Sequence, residues 1–168
     1  MSTMVDHEIL RDFSVLGAQA CAERGMLEAW VHAYLSGGAW ANPALSDGLR
    51  LKERFWVGPV EVRLRDIDRH CGPELGITHW EPRDQWERRL AELQASIGDV
   101  MELPPLIVTA YGGLLRNRDG THRFLTADGT HRLEALKRMG RETFHVLIWF
   151  ETETQREEYL RERRERSG

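Results

Sequence analysis

Cysteine and lysine are each confined to two positions in this chain, Cys21 and Cys71 in one case, Lys52 and Lys137 in the other. Two cysteines cannot build a disulfide framework, and nothing in their setting points to an oxidising compartment. Long apolar runs are missing as well. None approaches the ~20 residues of a membrane span, and the opening segment, with Asp6, Glu8, Arg11 and Asp12, has no signal-peptide pattern. The expectation is a cytoplasmic protein with no membrane association. Excess positive charge is also absent, since the formal net charge is −4, which argues against broad affinity for nucleic acid. The scarcity of lysine makes arginine the main basic residue, a bias that codon usage explains without any function.

What the chain has is enough length, 168 residues, for one ordinary domain with its own core. Ile9, Phe13, Leu16 and Ala20 predict one helix and Leu27, Trp30, Val31 and Tyr34 a second, separated at Gly25 and closed by Gly37-Gly38. A short helix after Pro43 would carry Leu45, Leu49 and Leu51. Trp40, Phe55 and Trp56 read as core or docking aromatics rather than as a base-stacking platform. Val60, Val62 and Leu64 alternate with Glu61 and Arg63, as in a strand buried on one face.

The segment from Asp66 to Trp80 carries Gly72, Pro73 and Gly76 and reads as a loop. Its His70, Cys71 and His79 match no compact zinc spacing, so no metal is assigned to them. Pro82 then opens a helix with Trp86, Leu90, Leu93 and Ile97 on one face, ended by Gly98. Leu106-Ile107-Val108 is a buried strand. Leu114 to Arg116 and Arg123 to Thr126 form the arms of a hairpin with its turn at Asn117 to Gly120. Thr143 to Phe150 is a central strand, and Glu153 to Arg166 a charged helix docked by Tyr159 and Leu160, with Glu157–Arg161 and Glu162–Arg166 able to pair.

Between the last two strands lies the most informative stretch, Thr126-Ala-Asp-Gly-Thr-His-Arg-Leu-Glu-Ala-Leu-Lys-Arg-Met-Gly140. It reads as a strand end, a tight turn and a helix with Leu133, Leu136 and Met139 on its apolar side, stopped at Gly140. Asp128 to Arg132 then stand at a helix N-terminus, where unpaired N–H groups and the dipole favour an anion. Asp-Gly-Thr-His-Arg also occurs at 119 to 123. Only the second copy opens a helix, so the first is assigned to a structural hairpin turn.

The order of elements from Val57 to Phe150, with Ala-Asp-Gly-Thr-His-Arg-Leu-Glu-Ala-Leu-Lys-Arg-Met-Gly at its turn, resembles the ParB/sulfiredoxin superfamily. That resemblance implies an α/β (α+β) fold with a small mixed sheet flanked by helices. It divides the chain into an N-terminal helical extension (1–56), the superfamily domain (57–150) and a charged C-terminal helix (151–168). Sulfiredoxins have a cysteine where Thr130 stands here, so their sulfur chemistry is not expected. The Arg-rich box of chromosome-partition ParB proteins is also absent, and the residues after Phe150 are too few for their DNA-binding region.

The turn is most similar to the Asp-Gly-His-Thr-Arg of the free-serine kinases, with Thr and His exchanged. By that resemblance Gly129, Thr130, His131 and Arg132 bind nucleotide phosphates, Asp128 orients the acceptor or a magnesium-bound phosphate, and Glu74 is the general base. The implied activity is phosphoryl transfer from Mg-ATP or Mg-ADP to a small hydroxylated molecule, with magnesium carried by the nucleotide. The alternatives are a non-enzymatic nucleotide- or protein-binding module, engaging a protein through the N-terminal helices, and a ParB-like DNA-binding or nuclease protein.

Overall fold

The computed structural model of the protein describes residues 4–111 and 115–167. The strands are β1 (Phe55–Arg63), β2 (Ile67–Asp68), β3 (Cys71–Gly72), β4 (His79–Trp80), β5 (Leu106–Thr109), β6 (Phe124–Asp128) and β7 (Thr143–Phe150). Five of them form one mixed sheet in the order β1-β7-β5-β6-β2, and β3 pairs with β4 separately. β7 is interior, as its nearly continuous apolar run requires: β1 lies antiparallel on one side and β5 parallel on the other. The helices are α1 (Met4–Arg11), α2 (Val15–Glu23), α3 (Leu27–Ser36), α4 (Pro43–Leu49), α5 (Arg83–Ser96), α6 (Thr130–Arg138) and α7 (Glu153–Ser167). The architecture is the α/β arrangement expected from the sequence. No helix among the described residues is long and apolar enough to cross a membrane.

Side-chain alternation along the strands divides the interior into two layers. Leu106 and Val108 of β5 and Val146 and Ile148 of β7 pack with Leu133 and Leu136 of α6 and Tyr159 of α7. Ile107 and Leu147, pointing the other way, pack with Trp30, Tyr34, Leu35 and Leu49 from the N-terminal helices. The N-terminal segment is therefore the cover of one face of the sheet. Trp56 lies partly buried against this N-terminal layer and Phe55 against the opposite one, both as core aromatics. A third, smaller cluster of Trp86, Leu90 and Ala135 fastens α5 to α6.

Several local expectations need correction. The stripe Ile9–Phe13–Leu16–Ala20 is not one helix, because the chain turns between α1 and α2. Asp12 Oδ1 accepts from the backbone N–H and the hydroxyl of Ser14, and Ser14 Oγ in turn caps α2 by accepting from Gly17 N. These short side-chain bonds outcompete a continuous helix. Leu16 consequently faces solvent, and Val15, Ala18 and Cys21 are the residues buried. Leu51 lies beyond α4 and is exposed.

The 66–80 segment carries β2, β3 and β4 within what the sequence presents as a loop, since two-residue strands leave no periodic signal. The hairpin is reduced to a single bridge between Arg116 and His122, and Leu114 lies outside the described residues. Glu162 pairs with Arg116 and sits 3.1 Å from His122 instead of pairing with Arg166. Asp119 Oδ1 accepts from Thr121, and Arg123 pairs with Asp68. The first Asp-Gly-Thr-His-Arg copy is thus absorbed into ionic fastening of the turn and α7.

Candidate functional site

β6 ends at Asp128 and α6 begins at Thr130, so Gly129 alone makes the corner. Its φ of 98° lies in the left-handed region. A Cβ there would stand 2.6 Å from Leu106 Cδ2 and 2.8 Å from an Arg132 nitrogen. Only glycine meets both conditions. Gly129 is also the N-cap, and no side chain caps the helix. The intrahelical ladder starts when Leu133 N donates to Gly129 O at 2.8 Å. Ahead of it, the first-turn N–H groups of Thr130, His131 and Arg132 have no intrahelical acceptor. Gly140, with φ of 83°, ends the helix in the left-handed conformation anticipated from the sequence.

Arg132 occupies a different place from the one its residue type suggests. Its side chain is 2 % exposed and is turned into the protein. One guanidinium nitrogen donates to Asp128 Oδ2 at 3.2 Å and to Pro105 O at 3.1 Å. The guanidinium carbon lies 4.8 Å from the Trp40 ring and 6.0 Å from that of Tyr34. In this arrangement the cation organises the turn from behind rather than facing a phosphate. Asp128 Oδ2 also accepts from Tyr34 Oη at 2.8 Å. Its charge is neutralised on that side, and the other carboxylate oxygen accepts no hydrogen bond from the described residues.

Around the mouth of the turn, several residues separated in sequence come together. His70 Nδ1 lies 2.8 Å from Thr126 Oγ1 and 3.3 Å from Thr130 Oγ1, and the two hydroxyls are 3.0 Å apart. The His70 and His79 rings meet edge to face at 5.4 Å. Burial, then the proximity of His79, keeps His70 below the ordinary imidazole pKa and therefore neutral. Burial raises the Cys71 thiol, the opposite of what a reactive cysteine needs. His131 Nε2 sits 3.1 Å from one oxygen of Glu81, whose other oxygen accepts from Arg89 at 2.9 Å. Its ring also packs on Trp86 at 4.9 Å. Among the described residues no group of three or more His, Cys, Asp or Glu is arranged to hold a metal ion.

Glu74 lies in the exposed turn between β3 and β4, ion-paired to Arg69. Hydrogen bonding to that guanidinium holds the carboxyl below its usual range, which makes it a weak proton acceptor as it stands. Arg69 packs over Trp86 at 4.9 Å and reaches Glu134 at 3.7 Å. Through it Glu74 belongs to the rim of the α5–α6 contact.

A crevice of about 760 Å³ opens beside the turn, bordered by Trp40, Asn42, Arg89, Ser96, Asp128 and His131. That volume falls within the roughly 300–1,000 Å³ of small-molecule sites. Sequence reasoning did not bring Tyr34, Trp40 or Glu81 to the turn. Tyr34 shares a helical stripe with Trp30 and reads as core. Glu81 beside Pro82 was a visible signal, a carboxylate immediately before a helix, although its partner lies fifty positions away.

Residues 74–163 match the family model described as the ParB N-terminal domain. No curated protein and no solved structure matches the chain at a significant level.

The burial of Arg132 sets its mutational behaviour. Arg132→Met leaves the Asp128 carboxylate without its cation and should cost about 3–5 kcal/mol of stability, a fall in Tm of at least ~6 °C, measured by thermal denaturation without any ligand.

Burial also holds His32, His122 and His145 below their ordinary pKa, as it does His70. Their neutral forms are favoured on folding, so this contribution to stability is complete above the unfolded value of about 6.5 and is lost as pH falls through the folded values. Tm should therefore decline on titration from pH 7.5 towards 5, and a flat profile would contradict the assignment.

Proposed function

The chain belongs to the ParB N-terminal domain family, and on that footing we propose that it binds a nucleotide, with phosphates against the first turn of α6, for phosphoryl transfer to a small hydroxylated acceptor. The observation that carries this reading is the uncapped α6 N-terminus opening beside the crevice. Main-chain N–H groups of Thr130, His131 and Arg132 act as donors to phosphate oxygens, and the dipole adds to them. Gly129 makes the corner that sets these groups, its missing Cβ leaving room for Leu106 and Arg132. The Asp128 carboxylate would repel an anion, but Tyr34 and Arg132 bond to it and reduce that repulsion.

With Nε2–H given to Glu81, His131 offers Nδ1–H to a phosphate at the same turn only as the imidazolium. The second oxygen of Asp128 fits a water of a nucleotide-borne magnesium ion, which usually keeps several waters and takes few carboxylates. Bound magnesium supplies charge neutralisation for phosphoryl transfer. Glu74, the base that the resemblance implies, is held by Arg69 and does not border the crevice, so it would have to leave that ion pair to reach the acceptor. Neutral His70, already against Thr126 and Thr130, is the second group able to take a proton beside the turn.

ATP or ADP with magnesium should raise Tm, by ~2.7 kcal/mol of added stability at a hundredfold excess over Kd. His131→Gln should weaken affinity about tenfold or more, the scale of one hydrogen bond to a charged group. Absence of any shift with ATP, ADP or CTP would refute nucleotide binding.

A second reading, a DNA-directed activity, draws on the family match and on a separate groove. Arg63, Arg65, Arg118 and Arg123 gather around Asn117 there, together with Asp66 and Asp119, which pair with Arg63. Arg65 and Arg118 make no ion pair among the described residues and are exposed. DNA held by this patch should lose affinity steeply as salt rises. Retention of duplex DNA at 50 mM salt, abolished in Arg65→Glu/Arg118→Glu, would support the reading, and no retention in the unaltered protein would eliminate it.

A further inference from the structure

Resting on the phosphate site described above, we propose that the N-terminal segment supplies the other half of the ligand site, with Trp40 as the platform on which the nucleobase stacks. The family match begins at residue 74, yet one wall of the crevice comes from the turn that follows α3. Trp40 is partly buried, packed against the N-terminal core layer. Arg132 stands 4.8 Å from the ring centroid, within cation–π range, and holds the indole in place. Trp40 is one of the residues that border the crevice.

This placement differs from that of Trp56, whose indole is spent on the core. Trp40 has small neighbours, Ala39 and Ala41, which leave room for a flat ring. Two polar groups lie along the same crevice. Asn42 Oδ1 accepts from Leu45 N and so caps α4, leaving the amide nitrogen as a donor for a base edge. Ser96 Oγ donates to Leu93 O and keeps acceptor capacity. At the other end are Asp128 and His131, next to the α6 N–H groups.

The same indole also accounts for a feature of Arg132. The Nε of that buried side chain has no hydrogen-bond partner among the described residues. The ring face of Trp40 supplies the electrostatic partner that a hydrogen bond would otherwise provide. A single side chain thereby secures the buried cation and offers a surface for a planar, aromatic ligand group.

Calorimetric titration with ATP and with sodium tripolyphosphate, which has no base, tests the assignment. The intact protein should bind ATP more tightly than tripolyphosphate. Trp40→Ala should reduce ATP affinity roughly 5- to 150-fold more than it reduces tripolyphosphate affinity, the range for loss of one base–aromatic stack. Trp40→Phe should keep most of the preference. Equal affinity of the intact protein for the two probes, or an equal loss for both in Trp40→Ala, overturns the base platform while the phosphate site stands. Failure of the intact protein to bind either probe overturns the phosphate site and the platform together. If Trp40→Ala does not fold, the comparison of probes in the intact protein and in Trp40→Phe decides the matter.

Discussion

The buried Asp128–Arg132 pair, with Tyr34 as its third member, is the interaction on which the arrangement of this molecule depends. It joins the end of β6, the first turn of α6 and the helix α3 that covers the far face of the sheet. A guanidinium taken out of water is costly unless its charge and donors are met. Here the carboxylate, the Pro105 carbonyl and two aromatic faces meet most of that demand. The same set of contacts fixes the corner at Gly129 and leaves the α6 amides directed away from it. Arg132 thus acts on the candidate site by positioning the turn.

The N-terminal helices follow from the same constraint. Ile107 and Leu147 are fully buried on the face opposite α6, and a five-stranded sheet with one apolar face uncovered would expose a patch that soluble proteins rarely carry. α2, α3 and α4 cover it. Their position brings Tyr34 to Asp128 and Trp40 to the crevice, so covering the sheet and walling the site are done by one segment.

Much of the framework was legible in the residues. The alternation around Val60 and Val62, the apolar run of β7 and the periodicity of α5 and α6 each predict the element found, because burial imposes those periods directly. The helix break at Asp12–Ser14 was not legible, since it depends on three short polar contacts that override an apolar stripe. The strands at Cys71 and His79 are too short to leave a pattern.

For the site, the turn and the helix start could be read from Asp128-Gly129-Thr130, but not that Gly129 is the N-cap and that no side chain caps the helix. The inward turn of Arg132 could not. Sequence shows a cation at a helix start, and only tertiary packing shows that Tyr34, Pro105 and Trp40 surround it. The meeting of His70 with Thr126 and Thr130, and of His131 with Glu81, is hidden for a similar reason, as the partners lie fifty or more positions apart.

Because α3 and the turn after it supply both Tyr34 and Trp40, the shape of the crevice and foldedness are mechanically inherited together. Drift in that helix would alter what the crevice accepts and at the same moment unbalance the charge sealed beneath it. Diversification of such a protein should then proceed through the residues that border the opening without touching the ion pair, Asn42 and Ser96 before Trp40, leaving the inner scaffold as the slowest part to change.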